Sequence, residues 1–142
     1  MHGVSKVNII DASAALAYMQ GEKGAEVMDE ALDQCPSWIT AVNYCEILGK
    51  LMEKGLPQTE ARIAAADLGL EIIDFNQDLA FRAAALRQTT KAIGASLGDR
   101  ACLALAEQAA ETGKVPVVYT AERVWTKLKW RFKIILIRHG QP

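Results

Sequence analysis

The sequence predicts an α/β domain with a mostly parallel five-stranded sheet and helices on both faces. Three observations lead there. Short apolar segments alternate with stretches of helical periodicity in the order β-α-β-α-β-α-β-α-β. The chain has 142 residues, the size of one typical domain. It is 51 % hydrophobic, and no low-complexity tract, linker or internal repeat divides it. Residues 1–142 therefore read as one domain.

The elements follow in order. Val7 to Asp11 is a strand, and Ser13 to Met19 and Gly24 to Leu32 are helices. Ser37 to Thr40 is a short strand. Ala41 to Lys54 is a helix closed by Gly55, with Pro57 beyond it. Pro57 to Asp67 is a helix with proline in its first turn. Leu70 to Phe75 is a strand, Asp78 to Thr89 and Asp99 to Glu111 are helices, and Gly113 is a stop signal. Val115 to Tyr119 is a strand, Ala121 to Leu128 a helix, and Lys133 to Ile137 the last strand.

The net charge of −1 hides an asymmetry. Residues 113 to 142 carry seven Lys/Arg (Lys114, Arg123, Lys127, Lys129, Arg131, Lys133, Arg138) against Glu122 alone. A basic segment of this kind meets a polyanion or an acidic partner, or simply lies solvated. Trp125, Trp130 and Phe132 interleave with its cations, a mixture that can stack on bases and hold phosphates, or pack against the sheet. Three cysteines, Cys35, Cys45 and Cys102, form no C-x-x-C pair, which argues against a disulfide framework or a zinc site. Cys45 and Cys102 lie in apolar helical patterns and read as core, as does Trp38. With no signal-peptide core and no run of about 18 apolar residues, the expectation is a reduced, soluble, cytoplasmic protein without a membrane segment. His2 and His139 stand at the termini, so histidine acid–base chemistry has little support.

Four acids occupy comparable places. Asp11 ends the first strand, Glu46 lies early in the helix after the second, Asp99 opens its helix, and Glu122 follows the fourth strand. In open α/β sheets, ligands bind outside the carboxyl ends of the strands. Each acid also has a plainer role. Asp11 and Asp99 can cap helices, Glu122 can complement a helix dipole, and Glu46 can face solvent opposite Tyr44, Leu48, Leu51 and Met52. If the four converge, two carboxylates about 4 Å apart repel by roughly 4 kcal/mol at an effective dielectric of 20, and a divalent cation relieves them. An all-oxygen site suits Mg²⁺ or Mn²⁺. Such an ion can activate a water and stabilise phosphoryl charge, which makes phosphodiester hydrolysis the matching chemistry. Ser13 then reads as a hydrogen-bonding support, and Thr120 as a helix cap or a nearby hydroxyl. Arg100 can reach a phosphate or lie on the surface, and Lys50 stands i,i+4 from Glu46.

The segments IIDASA (Ile9 to Ala14), NYCEILGKL (Asn43 to Leu51), SLGDRACLALA (Ser96 to Ala106) and YTAERVW (Tyr119 to Trp125) resemble the four motifs of PIN-domain ribonucleases. They resemble most the toxins of VapBC-type toxin–antitoxin modules, in order and over almost the whole chain. The resemblance implies a Mg²⁺- or Mn²⁺-dependent endoribonuclease, a homodimer, and a cognate antitoxin that fills the groove near the acids. It maps the family's acids onto Asp11, Glu46, Asp99 and Glu122. At the fourth position the family usually shows T-A-D; here it is Thr120-Ala121-Glu122, with Trp125 downstream. The longer Glu122 is the main support for an alternative: a non-catalytic PIN-like module that binds RNA or protein. A phosphoacceptor role for Asp11, as in receiver domains or haloacid-dehalogenase-like phosphatases, lacks the second acid those folds need, because position 13 is Ser13. No P-loop segment is present.

Overall fold

The computed structural model describes residues 5–137. Met1 to Val4 and Arg138 to Pro142, which include His2 and His139, lie outside the described residues. The strands are β1 (Lys6–Ile10), β2 (Ser37–Thr40), β3 (Glu71–Ile73), β4 (Val115–Thr120) and β5 (Lys133–Leu136). The helices are α1 (Ala12–Met19), α2 (Ala25–Gln34), α3 (Ala41–Glu53), α4 (Gln58–Ala66), α5 (Gln77–Thr89) and α6 (Leu97–Glu111). The strands form one sheet in the order β3-β2-β1-β4-β5, and all four pairings are parallel. The chain first winds outward from β1 to β3, then returns to lay β4 on the other side of β1. The gap between the ends of β1 and β4 is therefore the topological switch point, where α/β sheets form clefts.

Side-chain alternation along the strands builds two cores. Ile10, Ile39 and Tyr119 pack with α1, α2, α3 and α4 on one face. Val7, Ile9 and Val118 pack with α5, α6 and Trp125 on the other. Both faces of the central strands are thus covered, which explains why Val7 to Ile10 is buried throughout. Helix α6 is buried along most of its length. Its small residues Ala101, Ala104, Ala106 and Ala109 let its backbone approach the sheet.

Local signals set the helix starts. Thr40 caps α3 by accepting from the Asn43 N–H, Asn76 caps α5, and Ser96 and Asp99 form a reciprocal capping box on α6. Gly24 has φ 99°, and a Cβ there would lie 1.7 Å from the Ile137 carbonyl oxygen. Only glycine allows that approach between α2 and the end of β5.

Several sequence expectations need correction. Residues 121–128 do not form an α-helix; a 3-10 turn spans Arg123–Lys127, with Trp125 buried in the second core. A further 3-10 turn covers Lys91–Ile93. Strand β3 is three residues long because its flanks turn away to helices. Cys45 is exposed, since Ile47 and Leu51 rather than Cys45 carry the buried face of α3. Trp38 is only half-buried, under the Lys114 ammonium at 5.8 Å. Lys50 pairs with Glu53 at 3.5 Å, not with Glu46.

Candidate active site

Four segments meet at the carboxyl edge of the central strands. Asp11 is the residue after β1, and its N–H still donates to the Tyr119 carbonyl at 3.0 Å, so the ladder holds its backbone rigidly. It occupies the N-cap position of α1, yet its side chain makes no capping bond. The carboxylate instead meets two hydroxyls. Ser13 Oγ and Thr120 Oγ1 both donate to Oδ2, the latter at 3.0 Å. Ser13 thus plays the supporting role its position suggests, and it also accepts from the Ala121 N–H at 3.0 Å. Thr120 is no helix cap. It ends β4, donates to Asp11 and accepts from the Glu122 N–H at 3.0 Å.

Asp11 is 3 % exposed. Burial pushes its carboxyl up from 3.8 to about 7. The Ser13 and Thr120 bonds pull it back down, and the charges of Asp99 and Glu46 push it further up. The thiol of Cys102, buried behind these acids, is raised first by burial and then by the charges of Asp11, Asp99 and Glu46. Asp11, Glu46 and Asp99 therefore share one electrostatic neighbourhood.

Glu46 reaches that neighbourhood through a residue the sequence reading passed over. Asn43 is fully buried, and its Nδ2 donates to Glu46 Oε1 at 2.9 Å and to the Gly98 carbonyl at 3.0 Å. Its Oδ1 accepts from Thr40 Oγ1 at 2.7 Å. A buried asparagine three residues before a glutamate on one helix face was the available signal. Glu46 is exposed, as its periodicity predicts, but one oxygen is tethered. A Cβ added at Gly98 would lie 2.3 Å from Glu46 Oε2, so the first turn of α6 closes directly over this carboxylate.

Asp99 does not cap α6 as its N-cap, because Ser96 holds that place. Asp99 is the third residue of the capping box, where Oδ2 accepts from the Ser96 N–H at 2.9 Å. Glu122 is half-buried at the start of the 3-10 turn and joins the site through its N–H bond to Thr120. Arg100 turns away, with Nη1 donating to the Ala83 carbonyl of α5 at 2.9 Å.

Among the described residues, no three carboxylate, imidazole or thiol groups stand close enough to hold an ion in their present rotamers. The donor chemistry nonetheless fits one. Three carboxylates and two hydroxyls offer only oxygen, Asp11 is buried among like charges, and Arg100, next to Asp99, is committed to the Ala83 carbonyl. An all-oxygen set of this kind is the chemistry that suits a hard divalent cation.

Comparison with known proteins places this geometry in a family. The sequence pattern of the PIN domain matches residues 9–130. A VapC ribonuclease of Mycobacterium bovis is 32 % identical over 111 residues, 72 % of this chain and 85 % of the relative. Two solved structures share the fold. VapBC-1 from nontypeable Haemophilus influenzae has a TM-score of 0.68 at 13 % identity and covers 92 % of this chain and 98 % of that one. VapBC2 from Rickettsia felis, bound to a DNA fragment from its promoter, has a TM-score of 0.66 at 14 % identity with the same coverage.

Proposed function

The chain belongs to the PIN domain family, and from that premise we propose that it is a divalent-metal-dependent endoribonuclease, the toxin of a VapBC-type toxin–antitoxin module. The observation that carries this reading is the buried Asp11 carboxylate, held by two hydroxyls and facing Glu46 and Asp99. A carboxylate so placed is costly to ionise without a positive charge beside it. That cost makes sense in a site built for a cation and a phosphodiester.

Asp11, Glu46 and Asp99 would hold Mg²⁺ or Mn²⁺, with Glu122 at the rim. The ion supplies Lewis acidity toward the phosphoryl group and favours ionisation of an attacking water. The chain does the rest. Ser13 and Thr120 fix Asp11 Oδ2, Asn43 orients Glu46, and the capping box holds Asp99 at the first turn of α6. The acids repel RNA phosphates until the cation neutralises them. No histidine among the described residues stands at the site, and the leaving oxygen takes its proton from solvent.

Residues 1–142 act as one such domain in this reading. The relatives' complexes support a cognate antitoxin as partner. The exposed side chains of Ile63 and Phe81 offer apolar surface for that antitoxin or for a second copy in a homodimer. No helix among the described residues is long and apolar enough to cross a membrane, and the proposed RNA substrate supports action in the cytoplasm.

The test is cleavage of total cellular RNA by the purified protein with Mg²⁺, with Mn²⁺ and with EDTA, beside Asp99→Asn. Fragments that require metal and vanish in the variant support the reading. Binding of RNA without cleavage under either metal would replace it with the non-catalytic module.

A further inference from the structure

The amino ends of β1, β4 and β5, opposite the acids, frame a groove of about 680 Å³. It is lined by Lys6, Lys114, Arg131 and Lys133 and by the aromatic rings of Trp130 and Phe132. No carboxylate among the described residues lines it. Strand alternation explains why the cations gather there. Lys6 shares a face with Asn8 and Ile10, and Lys133 shares that face with Ile135. The register Asn8–Val117–Lys133 then sets the two lysines on one open stretch of sheet, beyond the end of α2.

Two of the four cations are engaged. Lys114 sits over Trp38, and Arg131 pairs with Glu111 at 3.2 Å. Lys6 and Lys133 have no ion-pair partner among the described residues. The rings of Trp130 and Phe132 stack with centroids 5.5 Å apart and planes 22° apart. The indole N–H of Trp130 is satisfied by the Trp125 carbonyl at 2.8 Å, and both rings pack against the second core while lining the groove beside the lysines.

We infer that this groove is a second binding site for single-stranded RNA, separate from the acids. Cations interleaved with aromatic faces suit phosphates and bases together. An acidic peptide would use the lysines but not the stacked rings. The inference rests on the RNA reading above and extends it to a non-catalytic contact.

The experiment is fluorescence anisotropy of a labelled oligouridylate of about a dozen nucleotides. It is run in EDTA so that cleavage plays no part. Lys6→Gln/Lys133→Gln keeps the side-chain stems, and its melting temperature reports folding. Losing two phosphate contacts should lower the slope of log K against log[salt] by about 1.4 and weaken binding about tenfold at low salt. Trp130→Phe, which keeps a stacking face, should bind near the wild-type level. Unchanged affinity and slope in a folded double variant would overturn the inference. So would full displacement of the RNA by polyglutamate with the variant insensitive to both. A protein that binds through the groove but cleaves nothing would sink the ribonuclease reading and leave this one standing.

Discussion

Thr120 Oγ1 donates to Asp11 Oδ2 at 3.0 Å, joining the carboxyl ends of β4 and β1 across the switch point. This bond, with that of Ser13, is what the protein offers a carboxylate buried away from water. It offsets only part of the cost, because Asp11 still stands near 7. Asp11→Asn keeps an oxygen that can accept from both hydroxyls and removes the charge. Cleavage should fall to background while the metal-free protein gains stability, by about 1–3 kcal/mol at pH 8. Chemical denaturation beside the cleavage assay checks both. A destabilised Asn variant would mean that the carboxylate serves the fold.

The same residue sets a pH dependence whose sign is the reverse of most aspartates. Its folded value of about 7 lies above its ordinary 3.8. Below 3.8 the carboxyl is protonated in folded and unfolded chains alike. Between 3.8 and 7 only the unfolded chain releases the proton, so the folded state binds more protons and stability falls as pH rises. Above 7 this slope vanishes. The integrated loss is on the order of 4 kcal/mol. Urea denaturation from pH 4 to 8 in EDTA should show the decline in the wild type and lack it in Asp11→Asn. Parallel profiles would refute the assignment.

Metal addition should reverse the destabilisation. A cation that binds the folded site alone raises the melting temperature by mass action. Mn²⁺ or Mg²⁺ at millimolar concentration should raise it in the wild type, and the gain should be absent in Asp11→Asn. A shift of equal size in both proteins would place the ion elsewhere.

The sequence made Asp11 and Asp99 legible because each stands at a boundary between element types, where periodicity changes. Glu46 was legible only through its motif, since on α3 it looks like any solvent-facing acid. Asn43 escaped notice because its importance lies in the Gly98 carbonyl, 55 residues away, which no local pattern reveals. Lys50 misled in the opposite way. Its i,i+4 spacing from Glu46 suggested a pair, but Asn43 already holds that carboxylate and Lys50 turns to Glu53. The strand order was beyond pattern reading, yet the alternation that gives a parallel sheet was plain. Residues 121–128 suggest a helix, but only a 3-10 turn forms there, and the Thr120 hydroxyl that could have capped a helix is committed to Asp11.

Asn43 makes a sharper test of the site's support than any acid. Asn43→Ala removes donors to Glu46 and to the Gly98 carbonyl, and it takes away the acceptor of the buried Thr40 hydroxyl. Stability should fall by about 2–3 kcal/mol, and kcat should fall about 10–100-fold because Glu46 loses its tether. KM for RNA should change little, as Asn43 is buried away from substrate. Urea denaturation and steady-state kinetics separate the two effects. Loss of stability with an unchanged kcat would make Asn43 a packing residue only.

Gly98→Ala separates the site from the fold in the other direction. The added Cβ would fall 2.3 Å from Glu46 Oε2, too close for contact, so one group must move. The backbone of α6 is fixed by the Ser96–Asp99 capping box and by the Asn43 bond to the Gly98 carbonyl. Glu46 is the exposed end of a flexible side chain, and it should yield first. Alanine also favours the helix by about 1 kcal/mol over glycine, which offsets much of the lost Asn43–Glu46 bond. The variant should therefore stay within about 1 kcal/mol of wild-type stability while its cleavage rate falls at least tenfold. Pairing it with Glu46→Gln should add no further loss, because the carboxylate has already been displaced. Two independent, multiplying losses would show that the methyl group acts on Asp99 or on the RNA rather than through Glu46.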